Sequence, residues 1–240
     1  MKIRLLSDVH QEFYEDRDLY TNKGEEVLVI AGDLNVGHDK CWSALKRFAE
    51  HTKEVIYVPG NHEYYHGNIA EFDDYLRRFS YGTSVHFLNP GRVSIGGVTF
   101  IGAALWSNFG NNDFNRVICA QRINDFRVIK GFSGTKCAEL YEKHAGYIKD
   151  QYEAVEGKKV IVTHFLPATE CIASEFKGPD IINYYFANDL GGWISELEDT
   201  TWLYGHTHTP GEQVIGTTRV IANPYGYNKN QYYKECLIEV

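Results

Sequence analysis

The chain has 240 residues, 43% hydrophobic and 14% aromatic, ample for one packed α/β domain. A formal charge of −8 argues against a protein built to grip long nucleic acid, whose affinity comes from neutralised phosphates. No stretch approaches the roughly 20 apolar residues of a membrane span, and the apolar run near Met1 is too short and too interrupted by charge for a signal peptide. Cys41, Cys119, Cys137, Cys171 and Cys236 are scattered without a Cys-x-x-Cys pair, so the expectation is thiols in a reducing, cytoplasmic setting.

Ile3-Arg4-Leu5-Leu6-Ser7 reads as a first strand and runs into Asp8-Val9-His10. A second strand, Val27-Leu28-Val29-Ile30-Ala31, runs into Gly32-Asp33-Leu34-Asn35. Trp42, Leu45, Phe48 and Ala49 recur at helical spacing before the third strand, Val55-Ile56-Tyr57-Val58, which implies a right-handed parallel crossover. Pro59-Gly60 stop that strand abruptly, and Asn61-His62-Glu63 follow. A helix carrying Ile69, Phe72, Tyr75, Leu76 and Phe79 comes next, then a short strand over 85–88. Strands over 92–95 and 98–101 flank Gly96-Gly97, a two-residue hairpin signal.

From 106 to 157 the strand signal lapses. An Asn-rich loop (Asn108, Asn111, Asn112, Asn115) leads to helices expected over 117–129 and 138–155, the latter striped with Tyr141, Ala145, Ile148 and Tyr152. The segment reads as a helical insertion within a single domain spanning 1–240. Lys159-Val160-Ile161-Val162-Thr163 then runs into His164, and Thr201-Trp202-Leu203-Tyr204 into Gly205-His206-Thr207-His208. A hairpin over 212–221 and a last strand over 236–240 complete the chain. The fold class expected is α/β, a four-layer αββα sandwich of two mixed sheets with outer helices.

Five apolar strands thus deliver Asp, Asn or His at the same end, where ligands gather in open α/β sheets. The set is Asp8, His10, Asp33, Asn61, His62, His164, His206 and His208. Carboxylate, amide oxygen and imidazole without thiolate suit Mn, Fe or Zn. The one-residue spacing in Asp8/His10 and His206/His208 matters: alternate side chains share a face in an extended chain, whereas just past a strand end the turn can splay such a pair toward two ions. Asp33 can bridge both ions through its two oxygens. Two cations ~3.5–4 Å apart bind a phosphoryl group and generate a hydroxide for in-line attack. His38, His51, His66, His86 and His144 have no second donor beside them and read as ordinary.

Asp-x-His, Gly-Asp-x-x, Gly-Asn-His-Glu, a strand-terminal His and Gly-His-Thr-His, in that order from Asp8 to His208, resemble the five motifs of the calcineurin-like metallophosphoesterases. The resemblance implies a metal-dependent phosphoric ester hydrolase with Asp8, His10 and His208 on one divalent metal and Asn61, His164 and His206 on the other. It places Asp33 on both. It also implies that His62 is no ligand but faces the substrate and protonates or stabilises the leaving group. His62 and Asp33 then carry the catalytic roles.

The departures narrow the branch. Ser7 and Gln11 stand where protein phosphatases of the superfamily have glycines, and Val36-Gly37 where they have Asp-Arg. The partner that orients the catalytic His and the Arg that grips phosphate are therefore missing from those places. Val36 replaces the metal-binding Tyr of purple acid phosphatases, and His62 the Arg of lipid A-pathway hydrolases. Leu105-Trp106-Ser107, Asn124-Asp125-Phe126-Arg127 and Asn223-Pro224-Tyr225-Gly226-Tyr227 resemble the small stand-alone bacterial and phage members.

Tyr64, Tyr65, Trp106, Phe109, Tyr225 and Tyr227 each lie one short loop from a motif and are expected to form an aromatic rim, on which a flat base gains ~1–3 kcal/mol by stacking. Arg122, Arg127, Asn108 and Asn124 are candidates for polar contacts. The expected substrate contacts are Asn61, His62, Tyr64, Trp106, Arg127 and Tyr225, and the expected partner is a small phosphorylated, nucleotide-like compound, with no membrane. A nuclease of the same fold is the alternative, but no Lys/Arg cluster lies near the motifs. A non-catalytic scaffold is the other, and it would be marked by a lost ligand or a lost His62; all are present.

Overall fold

The computed structural model describes residues 1–13, 20–227 and 236–240. In chain order the elements are β1 (Lys2–Leu6), β2 (Val27–Ala31), α1 (His38–Ala49), β3 (Glu54–Val58), α2 (Ile69–Ser80), β4 (Val85–Phe87), β5 (Gly91–Ile95) and β6 (Val98–Ala103). Then come α3 (Asp113–Arg122), α4 (Asp125–Val128), α5 (Gly134–Ala154), β7 (Lys159–Thr163), α6 (Asn183–Phe186), α7 (Gly191–Ile194), β8 (Thr200–Tyr204), β9 (Gly211–Ile215), β10 (Thr218–Ala222) and β11 (Leu237–Glu239).

The strands form two sheets, in the order β11-β1-β2-β3-β4 and β5-β6-β7-β8-β10-β9. β1 to β4 run parallel, with β11 antiparallel at the edge. The second sheet is parallel from β6 to β10 and carries an antiparallel strand at each edge. This is the mixed two-sheet sandwich that the sequence pattern predicts.

Side-chain alternation explains the layers. Ile3, Leu5, Val27, Val29, Ile56 and Val58 of the first sheet meet Phe100, Val160, Val162, Leu203 and Ile221 of the second in one buried cluster. Their neighbours Leu28, Ile30, Val55 and Tyr57 face the other way and pack with Leu45, Phe48, Phe72 and Leu76 of α1 and α2. Because both faces are covered, the strands read as continuous apolar runs rather than alternating ones. Each fully buried Val, Leu or Ile side chain contributes about 1.5–3 kcal/mol.

The helices between β6 and β7 differ from the sequence expectation. In place of one helix over 117–129, α3 starts earlier because the Asn112 side chain accepts from the amides of Phe114 and Asn115. It ends where Ile123 turns extended (φ −83°, ψ 135°), and a separate turn, α4, carries Asp125 inward. α5 likewise begins four residues early, capped by Ser133 on the Lys136 amide. Residues 165–199, for which the sequence offered no element, hold short helical turns including α6 and α7. Among the described residues no helix is long and apolar enough to cross a membrane. The five cysteines are free, and all but Cys236 are buried.

Candidate metal centre

The parallel strands of both sheets end at one rim, where Ser7 pairs with Pro224 in a parallel bridge between the two sheets. Backbone bonds cross-link the loops past the strand ends: the Asp8 amide donates to Gly32 O at 3.0 Å, His10 to Asp33 O at 2.9 Å and Gly205 to His164 O at 3.0 Å. Five of the expected donors sit in the left-handed region, Asp8 (φ 50°), His10 (φ 49°), Asp33 (φ 53°), His206 (φ 67°) and His208 (φ 50°). Such a conformation costs an L-residue roughly 1–2 kcal/mol and persists only where the surroundings over-determine it. Close approach also dictates glycine here. A Cβ on Gly60 would meet Asp33 Oδ1, and one on Gly205 the Ala31 carbonyl.

The sequence-predicted donors converge. Asp8, His10, Asp33 and His208 form one group able to hold a metal ion, and Asp33, His164 and His206 another, each with its donor atoms within 4.8 Å of one another. Asp33 belongs to both: its Oδ2 lies 3.6 Å from His10 Nε2 and its Oδ1 3.5 Å from His164 Nε2. His208 Nε2 is 3.3 Å from Asp8 Oδ1 and 3.1 Å from His10 Nε2. His206 Nδ1 is 3.1 Å from His164 Nε2.

Hydrogen bonding makes these groups fit a cation. His164 Nδ1 donates to Ala31 O at 2.9 Å, so in the neutral ring Nε2 carries a lone pair. That lone pair faces Asn61 Oδ1 at 3.1 Å, an oxygen whose own amide nitrogen is engaged by Asp125. Two acceptors at that separation repel unless a positive charge lies between them. Burial opposes ionisation of Asp33, but positive charge on the imidazoles around it, when they are protonated, outweighs burial and holds its carboxyl well below the usual carboxylate range. Burial keeps His206 neutral, with its pKa well below the ordinary imidazole value.

His62 belongs to neither of these groups but forms a third with His10 and Glu12, whose donor atoms also lie within 4.8 Å of one another. Its amide donates to Asp33 Oδ1 at 3.0 Å, and its Nδ1 lies 2.9 Å from Glu12 Oε1, which leaves Nε2 toward the cleft, 3.4 Å from the Tyr227 hydroxyl. Burial disfavours its protonation, yet Asp33, Glu12 and Glu63 raise its pKa to about 9. The same Glu12 oxygen lies 2.9 Å from His10 Nδ1. Sequence reasoning missed Glu12, although an alternating Asp8-x-His10-x-Glu12 spacing was there to be read. Glu12 supplies the orienting partner of His62 that was missing from the expected positions.

Two further carboxylates went unassigned. Glu63 accepts from the amides of Leu34 (2.7 Å), Gly60 (2.8 Å) and Asp33 (3.1 Å) and from the Tyr57 hydroxyl (2.9 Å), locking the second and third motifs together. Burial and then Asp33 push its pKa up to about 8. Asp125 accepts from Asn61 Nδ2 at 3.2 Å, and no local signal beyond the Asn-Asp pair announces it.

Beside the two groups able to hold a metal ion opens a cavity of about 850 Å³, with Asn61, His62, His206 and His208 in its wall. Ile123, Leu166, Ile172, Phe176, Ile182 and Phe186 make much of the remaining wall. Four of the expected substrate contacts lie outside the cavity wall. Tyr64 and Trp106 are wholly buried and pack on each other (5.8 Å between centroids); the Tyr64 hydroxyl is spent on Asp73 at 2.9 Å. Arg127 donates to the Gln121 carbonyl and does not line the cavity. Tyr225 is buried with its amide on Ser7 O at 2.8 Å, and Tyr227 reaches the cavity in its place. Phe109 is also buried. The aromatic side chains of the wall include Tyr65, stacked on His62 at 4.3 Å, Phe186, stacked on His206 at 4.7 Å, Phe176, Tyr185 and Tyr227.

Known proteins share this fold. The chain is 25% identical over 275 residues to uncharacterized protein L509 of Acanthamoeba polyphaga mimivirus, covering 99% of this chain and 96% of that one. Its fold matches the phosphopantetheinyl hydrolase PptH of Mycobacterium tuberculosis with a TM-score of 0.78 at 18% identity, over 100% of this chain and 95% of that one. A dimetal phosphatase from Danio rerio matches with a TM-score of 0.51 at 15% identity, over 92% and 86% of the two chains. Residues 1–210 match the calcineurin-like phosphoesterase family. The chain belongs to that family.

Proposed function

We propose that the protein is a binuclear-metal phosphoesterase for a small phosphorylated substrate. Asp8, His10 and His208 would hold one divalent cation, Asn61, His164 and His206 the other, and Asp33 both. The two acceptors turned toward each other, His164 Nε2 and Asn61 Oδ1 at 3.1 Å, carry this reading. When bound, such a pair of cations polarises a phosphoryl group and activates water.

The remaining steps fall to the chain's own residues. The left-handed turns at Asp8, His10, Asp33, His206 and His208 fix the donors before substrate arrives. Glu12 holds His62 by Nδ1, so a proton on Nε2 points into the cleft. His62 passes that proton to the leaving-group oxygen as the ester bond breaks. Tyr65 stacks on the imidazole at 4.3 Å, and the Tyr227 ring lies 6.4 Å from it. A cavity of about 850 Å³ is of the size that takes a small organic ligand, so the phosphate carries a sizeable group. Within that wall Arg122 is already paired with Asp180 at 3.1 Å and the charge of Lys177 is offset by Glu175, so these side chains leave no excess positive charge, which supports a small ester over a polyanionic nucleic acid. We read residues 1–240 as one domain, with 106–157 as an insertion whose α4 reaches the site.

Metal-free protein should release little or no nitrophenol from mono- or bis-nitrophenyl phosphate. Addition of Mn, Ni, Mg or Zn should restore turnover, and EDTA should abolish it. The ratio of the two substrates sorts phosphatase from phosphodiesterase. Turnover that survives exhaustive chelation would overturn the metal reading.

A further inference from the structure

Asp125 begins α4, is 3% exposed and receives three donors. Its Oδ1 accepts from the Tyr65 hydroxyl at 2.6 Å and from Asn61 Nδ2 at 3.2 Å, and its Oδ2 from the Tyr185 hydroxyl at 2.5 Å. Each of the three groups presents a hydrogen to the carboxyl oxygens, the amide through Nδ2 and the phenols through their hydroxyls. For Asn61 this settles the direction of the side chain. The two ends of an amide have nearly the same shape, and either would fit the space. With Nδ2 on Asp125, Oδ1 is turned to His164 Nε2 at 3.1 Å. Rotated by half a turn, Asn61 would set its oxygen against the Asp125 carboxylate and offer hydrogens where a cation is to sit.

The other two donors belong to the cavity wall. Tyr65 stacks on His62, with centroids 4.3 Å apart, and Tyr185 lies edge-on to Phe165 at 5.3 Å. A single side chain from the helical segment thus touches one donor of the second group and two rings of the wall.

We propose that Asp125 is the positioning residue of the second metal group: it holds Asn61 with its amide oxygen toward His164 and ties segment 106–157 to the centre. Asp125 has this role only if the binuclear reading above holds, so the test separates the two. Metal-free protein is titrated calorimetrically with Mn²⁺ as wild type, Asp125→Leu, Asp125→Asn, Asn61→Ala and the Asp125→Leu/Asn61→Ala double variant. Loss of an outer partner of a metal ligand typically weakens the site by roughly 10–100-fold. Asp125→Leu should weaken the second site by about that factor and spare the first. Asp125→Asn keeps an accepting oxygen and should stay near wild type. In the Asn61→Ala background, Asp125→Leu should add little, because coupled residues are not additive.

Two wild-type-like sites in Asp125→Leu, or a full additional loss on top of Asn61→Ala, would overturn the role. Absence of Mn²⁺ binding to wild type would overturn the binuclear reading itself, and this role with it. Should Asp125→Leu not fold, the side-chain ¹⁵N–¹H signals of Asn61, identified by their loss in Asn61→Ala, decide. Slow exchange with water is expected for an amide bonded to buried Asp125, and exchange as fast as that of an exposed Asn contradicts it.

Discussion

Glu12 and Asp125 are two carboxylates outside the predicted donor set, and they act on the centre in opposite ways. Glu12 faces imidazoles, His10 and His62, each 2.9 Å from one oxygen. Burial works against its charge, but those two hydrogen bonds win and hold its pKa below the ordinary glutamate value. Asp125 faces an amide and two phenols, none of which carries positive charge, and burial raises its pKa despite their hydrogen bonds. The first carboxylate therefore supports a proton, and the second sets direction. A charge-removing, shape-keeping substitution should separate these roles.

The largest expected effect falls on the proton that Glu12 supports. His62→Ala should leave metal content unchanged and lower turnover of an alkyl phosphoester by about 10²–10⁴-fold, the usual contribution of a general acid. For a nitrophenyl ester the deficit should shrink, because that leaving group departs without a proton. Equal deficits for both esters would remove His62 from the role. Glu12→Gln comes next. It should cost roughly 10–100-fold, the usual effect of an outer partner, follow the same leaving-group pattern and add little in the His62→Ala background. If Glu12→Gln lowers metal affinity instead and ignores the leaving group, Glu12 resembles Asp125 and the contrast fails. Asp125→Asn should have the smallest effect of the three.

What could be read from the sequence divides along similar lines. Asp8, His10, Asp33, Asn61, His164, His206 and His208 were legible because each lies within four residues past the end of an apolar run that reads as a buried strand. Strand ends are local signals, and the sheets bring them together. The wall was not legible in this way. Asp125 meets Asn61 across 64 residues and Tyr185 across 60, and nothing near Asp125 in sequence records those bonds. Tyr64 and Tyr65 are neighbours of the same type, yet the turn over His62–Tyr64 sends one into the core and one into the cleft.

Trp106 misled for a related reason. It follows a strand end, and like five of the expected donors it has positive φ (56°), but its apolar indole packs into the core on Tyr64, Phe132 and Phe165. Glu12 was legible in principle, since its spacing from His10 matches that of Asp8, but a third acidic or basic residue in such a series is common on any exposed loop.

The central claim is that Asp33 joins two cations in one centre, and metal stoichiometry tests it most directly. Metal-free wild type and Asp33→Asn are dialysed against Mn²⁺, and the bound metal per folded chain is measured. Wild type should bind two equivalents. Asp33→Asn keeps the shape but loses the charge shared between the two groups, and it should bind one, with activity lower by orders of magnitude and folding intact. Two equivalents bound by Asp33→Asn at wild-type affinity would contradict the bridge.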